Sequence, residues 1–263
     1  MLKFTTLFSG SSGNCSFITD GRTRILIDAG VSCKRISEAL RALGEDAAAV
    51  DALLITHEHI DHVKGVDVLC RKYGIPLYAN EYTLHDMALS PKAAESARII
   101  RKNAPFAVGD IEIAPFSTPH DAADPLGFVF RDEKTRKRLG FASDLGHVSV
   151  EVSSALSGCD ALYIESNHDV GMLLTGRYPD YLKRRVAGRN GHLSNDDCAA
   201  FLAHSVQMGT TQAMLGHLSR ENNLPRLAYD TGINVLRESG INAGEDVRLY
   251  VAPASYKSEA ITV

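Results

Sequence analysis

The sequence predicts a layered α/β fold with helices outside the sheets. Three observations indicate this class. Apolar segments of strand length alternate with segments of helical periodicity, reactive side chains repeatedly follow the predicted strands, and no fixed-period repeat or Pro/Gly-rich linker divides the chain. The chain has 263 residues, 44% of them hydrophobic, which is enough to bury a large core. We therefore expect one globular domain that spans residues 1–263.

In the first half of the chain, short apolar runs alternate with helical patterns. Strands are predicted over residues 2–8, 15–19, 24–27, 52–55 and 75–79. Helical segments are predicted around Ile36, Leu40 and Leu43, over residues 62–73, and after the helix cap Asn80. The Ser/Gly-rich loop over residues 9–14 has two interpretations. It is a hairpin connection, which we favour, or its backbone amides line a phosphate site.

The second half continues the alternation. Strands are predicted over residues 111–116, 127–131, 138–142, 161–164, 211–215 and, as the last strand, 247–251. The charged segment 132–137 reads as the turn of a hairpin between the second and third of these strands. Helices are predicted over residues 195–206 and 224–237.

The densest group of reactive side chains follows the predicted strand 52–55. The sequence T-H-E-H-I-D-H places His57, His59, Asp61 and His62 within six residues. His57 and His59 can reach one ion from an extended turn, while Asp61 and His62 come one step later and can face a second. Imidazole nitrogens and carboxylate oxygens suit zinc and also accept manganese or iron. The motif therefore predicts a metal centre at a strand end without fixing the metal.

Composition limits the function classes and the compartment. A formal net charge of −4 argues against a domain that holds nucleic acid by bulk electrostatics, so any contact with a polyanion must be local. The five cysteines are odd in number and form no C-x-x-C pair, which indicates reduced thiols. No apolar stretch approaches the roughly 20 residues that cross a bilayer, and the N-terminus resembles no secretory signal. We expect a soluble, cytoplasmic protein without a membrane partner.

The H-x-H-x-D-H motif resembles the signature of the metallo-β-lactamase fold superfamily. Downstream strand ends carry a histidine, an aspartate and a histidine in the chain order of that family's remaining ligands. The resemblance implies an αββα sandwich, in which two mixed sheets lie between outer helices. Carried over residue by residue, it also implies two ions: one held by His57, His59 and His120, one held by Asp61, His62 and His217, and Asp144 bridging both.

That ligand set predicts hydrolysis of a phosphodiester. Two divalent ions, two carboxylates and a bridging hydroxide leave a small net positive charge, which suits an anionic substrate better than a neutral amide. Two metals about 3.5 to 4 Å apart activate water and stabilise both the attacking and the leaving oxygens. Asp28, in L-I-D-A-G, resembles the family's early aspartate, which supports the metal loop without binding metal. Asp61 is a catalytic candidate as well as a ligand.

The proton for the leaving oxygen has its own candidates. In the ribonuclease Z endonucleases of this fold, a strand-end glutamate pairs with a histidine that protonates the leaving group. Glu165 and His192 resemble that pair, although one residue separates His192 from Ser194 where the family pattern has none. A carboxylate that fixes the imidazole tautomer and raises its basicity suits this role.

Substrate-binding candidates lie around the same segment. The only dense basic run, Lys183, Arg184 and Arg185, comes between Glu165 and His192 and is interleaved with tyrosines. It is either a solvated helix face or a clamp for strand phosphates with an aromatic for base stacking, and its position favours the clamp. His168 and Ser194 are the other candidates for substrate contact.

The joint order of six segments resembles the bacterial YycJ (WalJ, VicX) group over nearly the whole chain. The segments are F-S-G-S-S-G-N, T-H-E-H-I-D-H, E-S-N-H-D, G-R-Y-P with K-R-R, G-H-L-S-N and L-S-R-E-N-N. The resemblance implies a metal-dependent nuclease, a 5′ to 3′ exonuclease on DNA with two zinc or manganese ions, or iron. Two rivals stay open: a hydrolase of a small ester, thioester or lactone, and a non-catalytic regulator. DNA versus RNA, polarity and oligomeric state also stay open.

Overall fold

A computed structural model describes residues 1–263 and contains fourteen strands and ten helices. Strands β1 to β14 comprise Lys3–Phe8, Cys15–Thr19, Arg24–Ile27, Ala52–Leu54, Leu77–Ala79, Ala97–Ile99, Phe106–Val108, Ile111–Ser117, Leu126–Asp132, Arg138–Ala142, Ala161–Glu165, Gln212–Gly216, Arg248–Val251 and Ile261–Thr262. Helices α1 to α10 comprise Cys33–Ala42, Ile60–Val63, Val66–Tyr73, Glu81–Asp86, Pro91–Ala94, Val150–Leu156, Val170–Thr175, Asp180–Val186, Asn195–Gln207 and Pro225–Glu238.

The strands form two mixed sheets of seven strands each. The strand order is β14-β1-β2-β3-β4-β5-β6 in the first sheet and β13-β12-β11-β10-β9-β8-β7 in the second. Counted from β14 in the first sheet and from β7 in the second, three antiparallel pairs are followed by three parallel pairs. The two sheets therefore repeat one pattern, although β14 of the first sheet comes from the C-terminal end of the chain.

Three apolar layers hold the sheets and helices together. In β3, Ile25 and Ile27 pack between the two sheets, whereas Leu26 between them packs against the helices outside the first sheet. Because both faces of such a strand are buried, its sequence is a continuous apolar run rather than an alternating one. A third cluster, which includes Leu202 of α9 and Leu236 of α10, fills the space outside the second sheet. The predicted αββα sandwich is confirmed.

Several predicted elements differ from the structure. The helix predicted over residues 62–73 is divided into α2 and α3 around Gly65, because the backbone N–H of Gly65 donates to the carbonyl oxygen of Ala29 instead of continuing the helix. A Cβ at this position would collide with the carbonyl oxygen of Val31. The prediction that 247–251 is the last strand is wrong, since β14 follows and pairs with Lys3 and Phe4 of β1. The hairpin connection over residues 9–14 is confirmed, because β1 and β2 are antiparallel neighbours. None of the helices combines the length and apolar composition that crossing a bilayer requires.

Candidate metal centre

Three of the predicted site residues, two ligands and the supporting Asp28, lie where parallel strands end. Asp28 follows β3, Asp144 follows β10 after one serine, and His217 follows β12 directly. All three have left-handed backbone conformations, with φ of 60°, 55° and 52°, and they account for three of the five such non-glycine residues in the chain. This conformation costs on the order of 1 kcal/mol for a residue with a Cβ, and it concentrates at functional sites. The left-handed backbone at each strand end thus turns these side chains towards the cluster of candidate ligands.

All seven predicted ligands lie in one cluster. Within each of four overlapping groups, the candidate ligand atoms are all within 4.8 Å of one another. The groups are His57, His59 and His120; His57, His62 and Asp144; Asp61, His62 and His217; and Asp144, Glu165, His192 and His217. Asp144 lies close to ligands of both predicted ions, since its Oδ1 is 3.8 Å from Nε2 of His120 and its Oδ2 is 3.3 Å from Nε2 of His62, as a bridging carboxylate requires.

Two buried nitrogen atoms test whether the cluster suits a metal. Nε2 of His57 and Nε2 of His217 are inaccessible to solvent and have no hydrogen-bond partner, although both side chains are almost fully buried. Buried polar atoms are nearly always paired, so two orphaned imidazole nitrogens in one cluster call for an explanation. A metal ion bound to these lone pairs would supply it, and the donor set therefore fits metal ions.

The electrostatics of the cluster favour cations. Burial, together with nearby His62, holds the pKa of His57 well below its usual value, and burial lowers the pKa of His120. These two imidazoles are therefore neutral, the form that binds metal. Burial alone would raise the pKa of Asp144, but His217 and His62 hold it well below its usual range, so it stays a carboxylate.

Two other ligand histidines, His62 and His217, respond to the carboxylates around them. Burial lowers the pKa of His62, but Asp144 and Asp28 outweigh it and raise the pKa to about 9. For His217, Asp144 first and then Asp61 raise the pKa well above its usual value against the effect of burial. An environment that favours a proton on these rings also favours a metal cation in the proton's place.

Asp28 supports the loop that carries His57 and His62. Its Oδ2 accepts a hydrogen bond of 2.7 Å from Nδ1 of His62, and its Oδ1 accepts one of 2.8 Å from the backbone N–H of Thr56. The Thr56 hydroxyl also reaches Asp28 and lies 2.9 Å from Nδ1 of His57. These contacts leave Nε2 of both histidines directed into the cluster, as expected of a residue that orients ligands without binding metal.

Glu165 lies beside His192, as predicted. Its Oε1 is 2.8 Å from Nδ1 of His192 and also 2.7 Å from Nδ1 of His217, a second contact that the sequence did not indicate. Its Oε2 accepts hydrogen bonds from the backbone N–H groups of Leu145 and Leu193. Burial would raise the pKa of Glu165, but His192 and His217 lower it to about 2. One buried carboxylate therefore orients a predicted ligand and the predicted proton donor together.

The substrate-binding candidates differ in what they contact. His168 is buried, and its Nδ1 has no partner. Ser194 caps α9, where its hydroxyl accepts from the backbone N–H of Asp197 and donates to that residue's carboxylate. Because the Ser194 hydroxyl is already engaged within the protein, the structure provides no support for a substrate contact, and that role stays a prediction.

The basic run does not present a single face. Lys183, Arg184 and Arg185 lie on α8, where successive side chains are about 100° apart around the helix axis. Arg185 forms an ion pair of 2.6 Å with Asp121, whose other oxygen is 3.4 Å from Nε2 of His120. Lys183 instead donates to the carbonyl oxygen of Leu174, and Arg184 is exposed. Within the run, the structure therefore links only Arg185 to the metal cluster through a chain of contacts.

Several contacts of the candidate ligands could not be predicted from the sequence. His120 donates from Nδ1 to the carbonyl oxygen of Gly191, and the hydroxyl of Ser9 accepts from the backbone N–H of His217. The carboxamide nitrogen of Asn14 lies 3.0 Å from Nε2 of His62. The sequence marked residues 9–14 only as a loop, and no local pattern shows that both ends of this loop contact the metal cluster.

The fold and the cluster define a class of protein, and comparison with known proteins agrees. The family model described as Beta-lactamase superfamily domain matches residues 23–218, a range that contains all seven predicted ligands. The crystal structure of the metallo-beta-lactamase fold protein YhfI from Bacillus subtilis has a TM-score of 0.73 against this chain at 15% identity, covering 98% of both chains. The chain belongs to the beta-lactamase superfamily.

Two bacterial relatives identify the family within that class. Exodeoxyribonuclease WalJ of Streptococcus pneumoniae serotype 2 (strain D39) is 38% identical over 252 residues, which cover 94% of this chain and 93% of that protein. Exodeoxyribonuclease YycJ of Bacillus anthracis is 36% identical over 251 residues, with 95% and 94% covered. The chain is thus a member of the WalJ and YycJ family, and the predicted resemblance to that group is confirmed.

Proposed function

We propose that this chain is a metal-dependent exodeoxyribonuclease that hydrolyses phosphodiester bonds of DNA in the 5′ to 3′ direction. The observation that carries the proposal is the convergence of seven histidine and aspartate side chains in one buried cluster whose orphaned nitrogens suit metal ions. The exodeoxyribonuclease relatives, similar over more than nine-tenths of the chain, supply the substrate class.

The cluster contains enough ligand atoms to hold two divalent ions, zinc or manganese. His57, His59 and His120 would hold one ion, Asp61, His62 and His217 the other, and Asp144 would serve both. When bound, such a pair supplies Lewis acidity that lowers the pKa of water and neutralises charge on the scissile phosphate. Asp28 and Glu165 keep the ligand rings oriented, so the residues do not have to rearrange when substrate arrives.

His192 is suited to give a proton to the leaving oxygen. Its Nδ1 donates to Glu165, which leaves Nε2 as the atom that faces substrate, and the side chain is 22% exposed. Burial lowers the pKa of His192, but Glu165 and Asp144 outweigh that effect and raise it. The Glu165 carboxylate fixes the tautomer and stabilises the imidazolium form, from which a proton can be donated in the transition state.

One face of α8 offers a path for the DNA strand. Tyr181 and Arg185 are four residues apart, so they share a face of the helix, and Tyr181 is 69% exposed. Arg185 reaches Asp121 at the edge of the cluster. A guanidinium for a phosphate and an aromatic ring for a base are the two contacts that proteins use to bind single strands. This pair, and not the whole basic run, is the clamp that we propose.

An end-labelled substrate panel tests the function. The protein is loaded with zinc or manganese and incubated with single- and double-stranded DNA and RNA, each labelled at the 5′ or the 3′ end, beside an Asp144→Ala control. We expect DNA to be cleaved, with mononucleotide released from the 5′ label at the earliest times and no cleavage by the control. A panel left uncut by metal-loaded protein, together with rapid turnover of a thioester or lactone, would overturn the proposal.

A further inference from the structure

Asn14 occupies a position that none of the roles assigned above explains. Its carboxamide is almost fully buried at the end of the loop between β1 and β2. The nitrogen Nδ2 lies 3.0 Å from Nε2 of His62 and 3.5 Å from Oδ2 of Asp61, two atoms on the inner side of the metal cluster. Asn14 therefore reaches the same space as the predicted ligands, although an amide nitrogen is not a metal ligand.

The orientation of the carboxamide is determined by its other contact. The backbone N–H of Gly10 donates a hydrogen bond of 2.8 Å to Oδ1 of Asn14. Because a backbone N–H can only donate, the atom that it contacts must be the oxygen, and the NH₂ group must face His62. Nδ1 of His62 donates to Asp28, so in the neutral form of the ring, which is the form that binds metal, Nε2 carries the lone pair that faces the amide NH₂ group.

The loop that carries Asn14 is anchored to both sides of the cluster. The backbone N–H of Asn14 donates to the carbonyl oxygen of Asp61, and its carbonyl oxygen accepts from Gly30. At the other end, the Ser9 hydroxyl accepts from the backbone N–H of His217 and lies 2.9 Å from the hydroxyl of Tyr163. The amide group is therefore held in place before any ligand binds, which is the property that makes a donor effective.

We infer that Asn14 donates a hydrogen bond to a non-bridging oxygen of the scissile phosphate, an inference that rests on the proposed function. Nε2 of His62 has one lone pair, and a metal ion bound there removes the acceptor that the amide now uses. The NH₂ group then keeps only long contacts to Asp61, 3.4 Å to its carbonyl oxygen and 3.5 Å to Oδ2, so one of its two protons is available to a closer acceptor. A phosphate oxygen at the metal centre is an acceptor of the right charge, and a neutral amide binds it without competing for the metal.

Nuclear magnetic resonance tests the contact without turnover. The probes are inorganic phosphate and thymidine 5′-monophosphate, titrated into zinc-loaded protein that is labelled with ¹⁵N at asparagine. The Asn14 side-chain signals are assigned by their disappearance in Asn14→Ala. We expect at least one Asn14 NH₂ proton to move downfield on saturation with phosphate, while those of Asn103 stay in place. Saturation with both probes that leaves the Asn14 signals unmoved would overturn the inference, and this result does not depend on whether the protein cleaves DNA.

A pair of variants in the same loop separates substrate contact from support of the metal ligands. Asn14→Ala removes the donor, whereas Ser9→Ala loosens the other end of the loop and keeps the donor. We expect Asn14→Ala to bind two equivalents of manganese with affinity within about threefold of the original protein, and to lower the single-turnover rate by on the order of 100-fold. Loss of metal binding in Asn14→Ala would assign the residue a structural role instead and would reject the inference.

Sulfur substitution in the substrate identifies the oxygen. Each of the two phosphorothioate diastereomers at the scissile linkage replaces one non-bridging oxygen with sulfur, which is a weaker acceptor. In the diastereomer whose sulfur faces Asn14, the hydrogen bond is already weakened. We therefore expect Asn14→Ala to slow this diastereomer roughly tenfold less than it slows the normal phosphodiester. Ser9→Ala should slow all three substrates equally. Equal losses on all three substrates in Asn14→Ala would contradict a direct contact.

Discussion

Oε1 of Glu165 lies 2.8 Å from Nδ1 of His192, and the same oxygen lies 2.7 Å from Nδ1 of His217. The other oxygen of this fully buried carboxylate receives two backbone N–H groups. Four donors thus converge on one negative group, and it connects the predicted proton donor to a predicted metal ligand. An amide cannot replace it, since any orientation of its NH₂ group would face a donor.

Replacing Glu165 by glutamine should therefore destabilise the protein despite the similar size. With a donor-to-donor clash and the loss of a buried charge, we expect Glu165→Gln to lower the free energy of unfolding of the metal-free protein by about 2 to 4 kcal/mol. Urea titration measures this quantity. Glu151→Gln is the matched control, because the Glu151 carboxylate also accepts from a backbone N–H but is exposed. Equal changes in the two variants would contradict the role of the four donors.

Loss of His192 should slow hydrolysis mainly for substrates whose leaving group needs a proton. For His192→Ala we expect the rate on DNA to fall by about 100- to 1000-fold, because a sugar alkoxide is a poor leaving group. Bis(p-nitrophenyl) phosphate releases a stable phenolate, so its hydrolysis should fall by less than about tenfold. Steady-state assays of both substrates, with metal content measured in parallel, check this. A similar loss on both would show that His192 does something other than donate a proton.

Arg185 and Lys183 should have different effects although they are two residues apart. Arg185 pairs with Asp121 at the edge of the cluster, whereas Lys183 is tied to the end of α7. We expect Arg185→Ala to weaken binding of a 5′-phosphorylated oligonucleotide by roughly tenfold and to reduce the dependence of log K on log salt by about one. Lys183→Ala should change neither appreciably. Fluorescence anisotropy at several salt concentrations measures both quantities, and equal effects of the two variants would contradict the proposed path along α8.

A buried carboxylate far from the cluster gives stability a pH dependence. Burial would raise the pKa of Asp132, but the N-terminal ammonium of Met1 and the backbone N–H groups of Thr135 and Lys134 lower it to about 2. Since the folded pKa lies below the unfolded value, the stabilisation is present above about pH 4 and is lost as the pH falls towards 2. Asp132→Asn should therefore lower the free energy of unfolding by about 2 kcal/mol at pH 7 and by almost nothing at pH 2. Urea titrations across this range check the prediction, and a pH-independent difference would refute it.

The grouping of the seven candidate ligands could be predicted because metal chemistry restricts which side chains can take part. Histidine and aspartate at the ends of apolar runs are visible in a sequence, and His120, Asp144 and His217 lie where those runs predicted. Asn14 could not be found in this way. Asparagine is a common loop residue, and its partner His62 is 48 positions away along the chain.

The limits of the fold prediction have a similar cause. Long buried strands such as β8 leave a strong apolar pattern, whereas β6 has only three residues and Ile99 in it is 56% exposed. The two-residue strand β14 exists only because β1 offers it an edge. Likewise, the basic run was visible as charge, but only the helix α8 determines that Arg185 points towards Asp121 while Lys183 does not.

The number of metal ions that the active protein requires is the most direct test of the proposed two-ion site. Chelator-treated protein is titrated with manganese, and single-turnover release of mononucleotide from 5′-labelled DNA is measured beside the metal content at each step. We expect no cleavage without metal and full activity only when two equivalents are bound. Asp144→Ala should be inactive both without metal and with two equivalents added. Cleavage that persists without metal, or that is complete at one equivalent, would contradict the proposed two-ion site.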